Sequence, residues 1–138
     1  MKKVLKIILM IFAMFALTSC GAKQFIFKQS VEEIESVEIV TAESSLEFTS
    51  IKKFSDEEKK VFLEEFQTIV FSKYIGDPPK LAGDAIKINY KDGAYEMICA
   101  YTVEYVESGK IQYRWKSCSE KDFTNLFKKF VEQADETK

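Results

Sequence analysis

The sequence predicts a single small α+β domain, in which an antiparallel sheet of about five strands carries two helices on one of its faces. Three observations lead to this prediction. Runs of alternating apolar and polar residues are separated by turn residues, and two other segments have apolar residues at helical spacing after a capping box. An Asp-Gly pair, Asp92-Gly93, also stands between two alternating runs. In chain order the predicted elements are β-β-α-β-β-β-α.

The first half of the predicted domain is a strand pair followed by a helix. Residues 34–42 and 46–51 alternate on either side of the turn residues 43–45, which predicts a hairpin. Ser55 and Glu58 have the spacing of a capping box and begin a helix over residues 56–72. The apolar stripe of this helix is expected to face the sheet and consists of Val61, Phe62, Phe66, Ile69 and Val70.

The second half begins with a hairpin around Asp92-Gly93. A two-residue type I′ turn at this pair sets the register of the two strands. In that register one face is apolar, and its pairs are Tyr90 with Tyr95, Ile88 with Met97, and Ile86 with Cys99.

The second of these strands is expected to continue without interruption from residue 95 to residue 105. A three-residue loop, 107–109, then returns the chain, with Gly109 in a left-handed bulge position and Val103 opposite Tyr113. Trp115 is expected on the inner face. Overlapping capping boxes at Ser117 and Ser119 begin the last helix, whose apolar side consists of Phe123, Leu126, Phe127, Phe130 and Val131.

Because only one sheet face is apolar in this arrangement, both helices should cover it and leave the other face wet. We take the wet face as the predicted binding surface, with the loop around residues 77–79 as an alternative. Among its residues, Ile98 and Thr102 would be apolar spots between charges. The binding face consists of Lys87, Asn89, Ile98, Thr102, Arg114 and Lys116.

The N-terminus has the layout of a secretory signal peptide. Three lysines, Lys2, Lys3 and Lys6, precede an uncharged apolar run that ends at Leu17-Thr18-Ser19-Cys20. This ending resembles the lipobox of bacterial lipoproteins. The resemblance implies cleavage before Cys20, a diacylglyceryl thioether on its sulfur and often N-acylation of the new N-terminus. Two or three acyl chains hold a protein to the bilayer, whereas one chain anchors it only marginally.

The resemblance also implies the domain organisation and the location. Residues 1–19 are a removable signal peptide, residues 20–30 a lipidated tether, and residues 31–138 the folded domain. The protein is expected to be lipid-anchored outside the cytoplasm, on the outer face of the cell membrane in a single-membrane bacterium or at the outer membrane otherwise.

Composition excludes several classes of function. The first 19 residues hold three lysines and no acid, so 17 basic and 22 acidic residues remain, a net charge of −5. An acidic chain of this kind is not expected to bind nucleic acid. The chain contains no histidine, which removes His-dependent catalytic triads and the usual zinc sites. We predict neither a metal nor a cofactor.

Two cysteines remain after the anchor, Cys99 and Cys118. Disulfides persist outside the cytoplasm, and the predicted register brings residue 99 opposite residue 117. A disulfide between Cys99 and Cys118 is therefore one prediction, and two free thiols are the alternative, because strict alternation turns Cys118 outward.

These features predict a membrane-tethered module that binds a protein of the cell envelope, as an inhibitor or an accessory factor, and that is not an enzyme. The alternatives are a small envelope enzyme, which would need a paired-carboxylate or Ser/Lys centre, and a small-ligand carrier with its ligand between helices and sheet.

Overall fold

The computed structural model describes residues 27–76, 81–99 and 102–135. A 3-10 turn, Val31–Glu33, precedes β1 (Ile34–Ser44) and β2 (Glu47–Lys53), and helix α1 (Asp56–Phe66) follows. The remaining elements are β3 (Phe71–Lys73), β4 (Gly83–Tyr90), β5 (Tyr95–Cys99), β6 (Thr102–Glu107), β7 (Lys110–Ser117) and helix α2 (Glu120–Asp135). The predicted signal peptide, the predicted lipidation site Cys20 and the loop of residues 77–79 lie outside the described residues.

The strands form one antiparallel sheet in the order β2-β1-β4-β5-β6-β7-β3. The α+β class, the antiparallel sheet and the two helices are confirmed, but the prediction of about five strands is wrong, because the sheet has seven. One additional strand arises because Cys99 pairs with Thr102, so that the predicted strand 95–105 is two neighbouring strands, β5 and β6. The other is β3, which was expected to be the end of the first helix.

Helix α1 shows why β3 exists. Its capping box forms as predicted: the Glu58 backbone N–H donates to Ser55 Oγ at 3.2 Å, and the Ser55 N–H donates to the Glu58 carboxylate at 2.8 Å. The helix nevertheless ends at Phe66 rather than at residue 72. Its continuation contains the β-branched residues Thr68, Ile69 and Val70, which favour extended backbone. The chain enters β3 and pairs with β7.

The main core lies between the two helices and one face of the sheet. Its helical members are Phe62, Leu63, Phe66, Phe123, Leu126 and Phe130. Helix α2 begins at the second of the two predicted caps, because Ser119 Oγ accepts the Asp122 N–H at 3.3 Å. The sheet contributes residues from β1, β4, β5, β6 and β3, among them Val37, Ile39, Ile86, Ile88, Ile98, Val103 and Phe71.

The opposite face of the sheet was expected to be wet, and this expectation is wrong. A second buried cluster lies there, formed by Val40, Ala42, Leu81, Ala85, Met97 and Cys99. The tip of the β1–β2 hairpin folds back over this face: Tyr95 Oη donates to the Ser45 carbonyl at 2.6 Å, and Ser45 Oγ donates to the Glu104 carboxylate. Strands β1 and β5 are therefore buried on both faces.

Both hairpin registers differ from those predicted. Asn89 pairs with Tyr95, and Ile88 with Glu96, so β5 is shifted by one residue and turned over. Tyr95, Met97 and Cys99 consequently lie on the far face, and Ile98 lies in the main core. In the next hairpin the loop is the two-residue Ser108-Gly109, and a bulge at Gln112 of β7 restores the alternation.

Candidate functional site

A groove opens at one edge of the sheet, where β3 stops covering β7. Strand β3 pairs with the C-terminal half of β7, and the last contact is the Tyr74 N–H, which donates to the Arg114 carbonyl at 3.2 Å. The chain then departs through Ile75 and Gly76, whose φ of +102° favours glycine. We call the resulting space, about 400 Å³, the edge groove; it is lined by Lys73, Tyr74, Gly76, Ile111, Gln112, Tyr113, Arg114 and Trp115.

The bulge in β7 determines which side chains enter the edge groove. Val106 pairs with Ile111 and Tyr105 with Tyr113, so Gln112 is the additional residue. Without this residue, the two-residue loop would place Tyr105 opposite Gln112 and turn the aromatic side chains of β7 to the far face. The bulge places Tyr113 and Trp115 on the same face as Tyr105 and Val103, as the sequence predicted for Trp115.

The edge groove combines exposed apolar surface with cationic groups. Ile75 is 92% exposed and Tyr113 is 46% exposed, whereas Trp115 is half-buried against the main core. The Lys28 ammonium lies 4.6 Å from the centroid of the Tyr113 ring and 3.4 Å from its hydroxyl. Arg114 Nε donates to the buried Glu104 at 2.7 Å, and the guanidinium remains partly exposed. Tyr, Trp and Arg are the residue types that dominate protein-binding surfaces.

The predicted binding face is only partly available. The Lys87 ammonium lies between the rings of Phe48 and Tyr95, at 4.4 and 4.6 Å from their centroids, and 3.5 Å from Glu38. Asn89 donates to Glu38 at 2.9 Å. These two polar side chains therefore stabilise the folded hairpin instead of facing a partner.

The other members of that face divide in the same way. Ile98 belongs to the main core because β5 is turned over, and Thr102 is buried and donates to the Cys99 carbonyl at 3.2 Å. Arg114 and Lys116 keep about two fifths of their side chains exposed. Of these two, Arg114 lines the edge groove.

The two cysteines are free thiols in the structure, so the predicted disulfide is not formed. Cys99 is buried on the far face, and Cys118 is exposed just beyond the end of β7. Since β6 lies between β5 and β7, the backbones that carry the two residues are about 10 Å apart, beyond the ~7 Å that a disulfide allows. Burial raises the pKa of the Cys99 thiol.

Sequence reasoning missed a buried carboxyl group, Glu96. The shifted register of β5 places Glu96 in the main core, where its side chain is 1% exposed. Tyr90 Oη donates to one carboxyl oxygen at 2.9 Å and the Lys28 backbone N–H to the other at 3.3 Å. Burial raises the pKa of Glu96 to about 8, although both hydrogen bonds act in the opposite direction. The alternation of residues 95–99 did not reveal the burial of Glu96. The predicted register placed Tyr95, Met97 and Cys99 on the inner face and left Glu96 on the wet face.

Comparisons of the chain with protein-family models, with curated proteins and with solved structures returned no match. Within the described ranges, no group of three or more Cys, Asp or Glu side chains is arranged to hold a metal ion. In that same part of the chain, no helix is both long enough and apolar enough to cross a bilayer.

Proposed function

We propose that the protein is an extracytoplasmic lipoprotein anchored through Cys20, and that its domain binds a protein of the cell envelope through the edge groove. The observation that carries the proposal is the cluster of Tyr74, Tyr113, Trp115 and Arg114 around an open groove. Such side chains supply a large contact area at a small cost in conformational entropy, and they recur as the residues that contribute most to protein interfaces.

Two further features support a protein partner over a small ligand. The space between helices and sheet, where a carrier would hold its ligand, is occupied by ring contacts such as Phe66 with Phe27, Phe62 and Phe71. The edge groove, in contrast, lies beside Ile75, a fully exposed apolar residue. An exposed isoleucine beside an aromatic groove gains most from burial under a second macromolecule.

The anchor is tested by replacing Cys20 with serine. We expect the wild-type chain to be cleaved before Cys20 and to partition into the detergent phase, with an intact mass that includes the acyl chains. The Cys20→Ser chain should lose the lipid mass and leave the membrane fraction, since its tether then has no acyl group. Equal processing and equal membrane retention of both chains would contradict the proposed anchor.

The binding surface is tested by photocrosslinking in intact cells. A photoreactive amino acid at Ile75 should give a discrete crosslinked protein, whereas the same probe at Lys60, on the exposed side of α1, should not. The replacement Tyr113→Ala should weaken the Ile75 crosslink about tenfold or more, because loss of a central aromatic contact costs more than about 1.4 kcal/mol.

Tyr113 is nearly half exposed, so its replacement should leave the thermal midpoint almost unchanged, which separates loss of binding from loss of folding. Equal crosslinking from Ile75 and Lys60, or a crosslink from Ile75 that does not respond to Tyr113→Ala, would contradict the groove as the binding surface. A crosslink to lipid alone would mean that the edge groove contacts the membrane and not a protein partner.

A further inference from the structure

The segment that leads into the domain is packed onto it, although the sequence places it within the tether. Phe27 is buried and its ring stacks on Phe66, with 5.4 Å between centroids and 21° between planes. Gln29 Nε2 donates to Asp92 at 2.7 Å and to the Tyr105 hydroxyl at 3.5 Å. We call residues 27–29 the strap. Of the predicted tether, residues 20–30, this part lies against the domain.

Beneath the strap is the Glu96 carboxyl group. Its neighbours on the sheet are Tyr90, from β4, and Tyr105, which is opposite Glu96 on β6. The Lys28 ammonium does not reach Glu96, because it lies on the Tyr113 ring, and among the described residues no Lys or Arg forms an ion pair with this carboxyl group. The strap thus donates one backbone hydrogen bond to Glu96 and shields it from water, but it supplies no cation to balance a carboxylate charge.

We propose that the strap is releasable, and that it links the tether to the edge groove through two contacts of Lys28: its backbone N–H on the Glu96 carboxyl and its ammonium on the Tyr113 ring. The first contact lies in the main core, and the second lies on a wall of the groove. Release of the strap therefore admits water to Glu96 and removes the cation from Tyr113 in a single movement.

Charge on Glu96 provides the driving force for release. A carboxylate buried without a cation is destabilised relative to one in water. The closed strap therefore favours neutral Glu96, and opening favours the charged form. The raised pKa of Glu96 is consistent with this coupling. The strap should close at acidic pH and open as pH rises through the neutral range.

The test is amide hydrogen exchange of the full chain in detergent micelles between pH 6 and pH 9, with rates corrected for intrinsic exchange. We expect protection of the amides of Lys28 and Gln29 to fall at least tenfold over this range in the wild type. In Glu96→Gln the amide oxygen can accept the Lys28 N–H and the amide NH2 can donate to the Tyr90 hydroxyl, without a charge, so its protection should change less than twofold. Phe27→Ala should lack protection at every pH. Glu64→Gln, on the exposed side of α1, should follow the wild type.

The fluorescence of Trp115 measures changes in the edge groove, since Trp115 is the only tryptophan in the chain and lines the groove beside Tyr113. Its emission should shift with pH in the wild type as the strap opens, and should stay constant in Glu96→Gln. Equal amide protection in the wild type and Glu96→Gln at all pH values would contradict the proposed release of the strap by charge on Glu96. Loss of amide protection in the strap without a change in Trp115 emission would contradict the proposed link between the strap and the edge groove. Neither measurement involves a partner, so failure here and failure of crosslinking at Ile75 are separate results.

Discussion

Replacement of Phe66 by alanine should lower the free energy of unfolding by about 3–5 kcal/mol, as large-to-small changes of a buried phenylalanine do. Phe66 is 1% exposed and is the centre of the aromatic core. Its ring lies 5.4 Å from those of Phe27, Phe62 and Phe71 and 6.4 Å from that of Phe123. It therefore joins the strap, α1, β3 and α2, and its removal leaves a cavity that four elements would have to close.

Urea unfolding followed by Trp115 fluorescence measures this change, and Val61→Ala is the matched control. Val61 is on the same helix but 44% exposed, and alanine is the better helix former, so the control should differ from the wild type by less than about 0.5 kcal/mol. Similar losses in both variants would mean that the loss at Phe66 does not come from its burial in the aromatic core, since alanine favours the helix at both positions. A Phe66→Ala chain as stable as the wild type would contradict the described core.

The sequence predicted a feature correctly where a residue pattern is compatible with a single local structure. Ser55 and Glu58 predicted the start of α1 because the capping box satisfies backbone N–H groups that the helix leaves unpaired. The apolar residues of α2 predicted its buried side for a similar reason, since a single stripe can face the core in only one way. Three of those residues, Phe123, Leu126 and Phe130, are buried in the main core.

Register was predicted wrongly in β5, because both of its faces carry apolar residues and are buried, although one of them also carries Glu96. Met97 and Ile98 are neighbours, and both are almost completely buried, one on each side of the sheet. Alternation alone favours the register that leaves Glu96 in water, but the turn sets the register that buries it. The Asp92 side chain accepts the Ala94 N–H at 2.9 Å and Gly93 has a φ of +89°, which closes a three-residue loop between Tyr90 and Ala94 instead of the expected two-residue turn.

The candidate site depended on the same kind of long-range information. The edge groove exists because β3 is short and β7 contains a bulge, and neither follows from local propensity. The β6–β7 loop contains two residues in left-handed conformation, Ser108 and Gly109, which the sequence indicates only for the glycine. The alternation of β7 predicts Arg114 on the wet face of the sheet, as a binding residue, and Tyr113 and Trp115 on the inner face, as core residues.

Replacement of Glu96 by glutamine should stabilise the protein at pH 8 and remove much of the pH dependence of its stability between pH 5 and pH 8. Glu96 has a pKa of about 8 in the folded chain, raised by burial from an ordinary value of 4.5. The folded state therefore binds more protons than the unfolded state in this interval. The free energy of unfolding contributed by Glu96 is greatest below pH 4.5, falls as pH rises, and is constant above about pH 8.

The magnitude follows from the width of the interval. Each unit of pKa shift corresponds to about 1.4 kcal/mol, so the full effect is on the order of 5 kcal/mol, and strap opening will reduce it by hydrating the carboxylate. Glutamine can accept the Lys28 N–H and donate to the Tyr90 hydroxyl, so the variant should match the wild type near pH 4.5 and exceed it at pH 8. Glu64→Gln should leave the profile unchanged.

The direction of this effect distinguishes Glu96 from the other carboxyl groups. The pKa of Glu58 is lowered, first by its hydrogen bond with Lys52 and then by the Ser55 N–H, so its contribution is lost only as pH falls below its ordinary pKa. Unfolding profiles of the wild type and Glu96→Gln measured from pH 4.5 to pH 8.5 should therefore diverge as pH rises. A carboxylate that is buried with two hydrogen bonds and no cation is expected to destabilise the folded state. Parallel profiles would contradict this expectation, because they would mean that the folded chain holds charged Glu96 at no cost in stability.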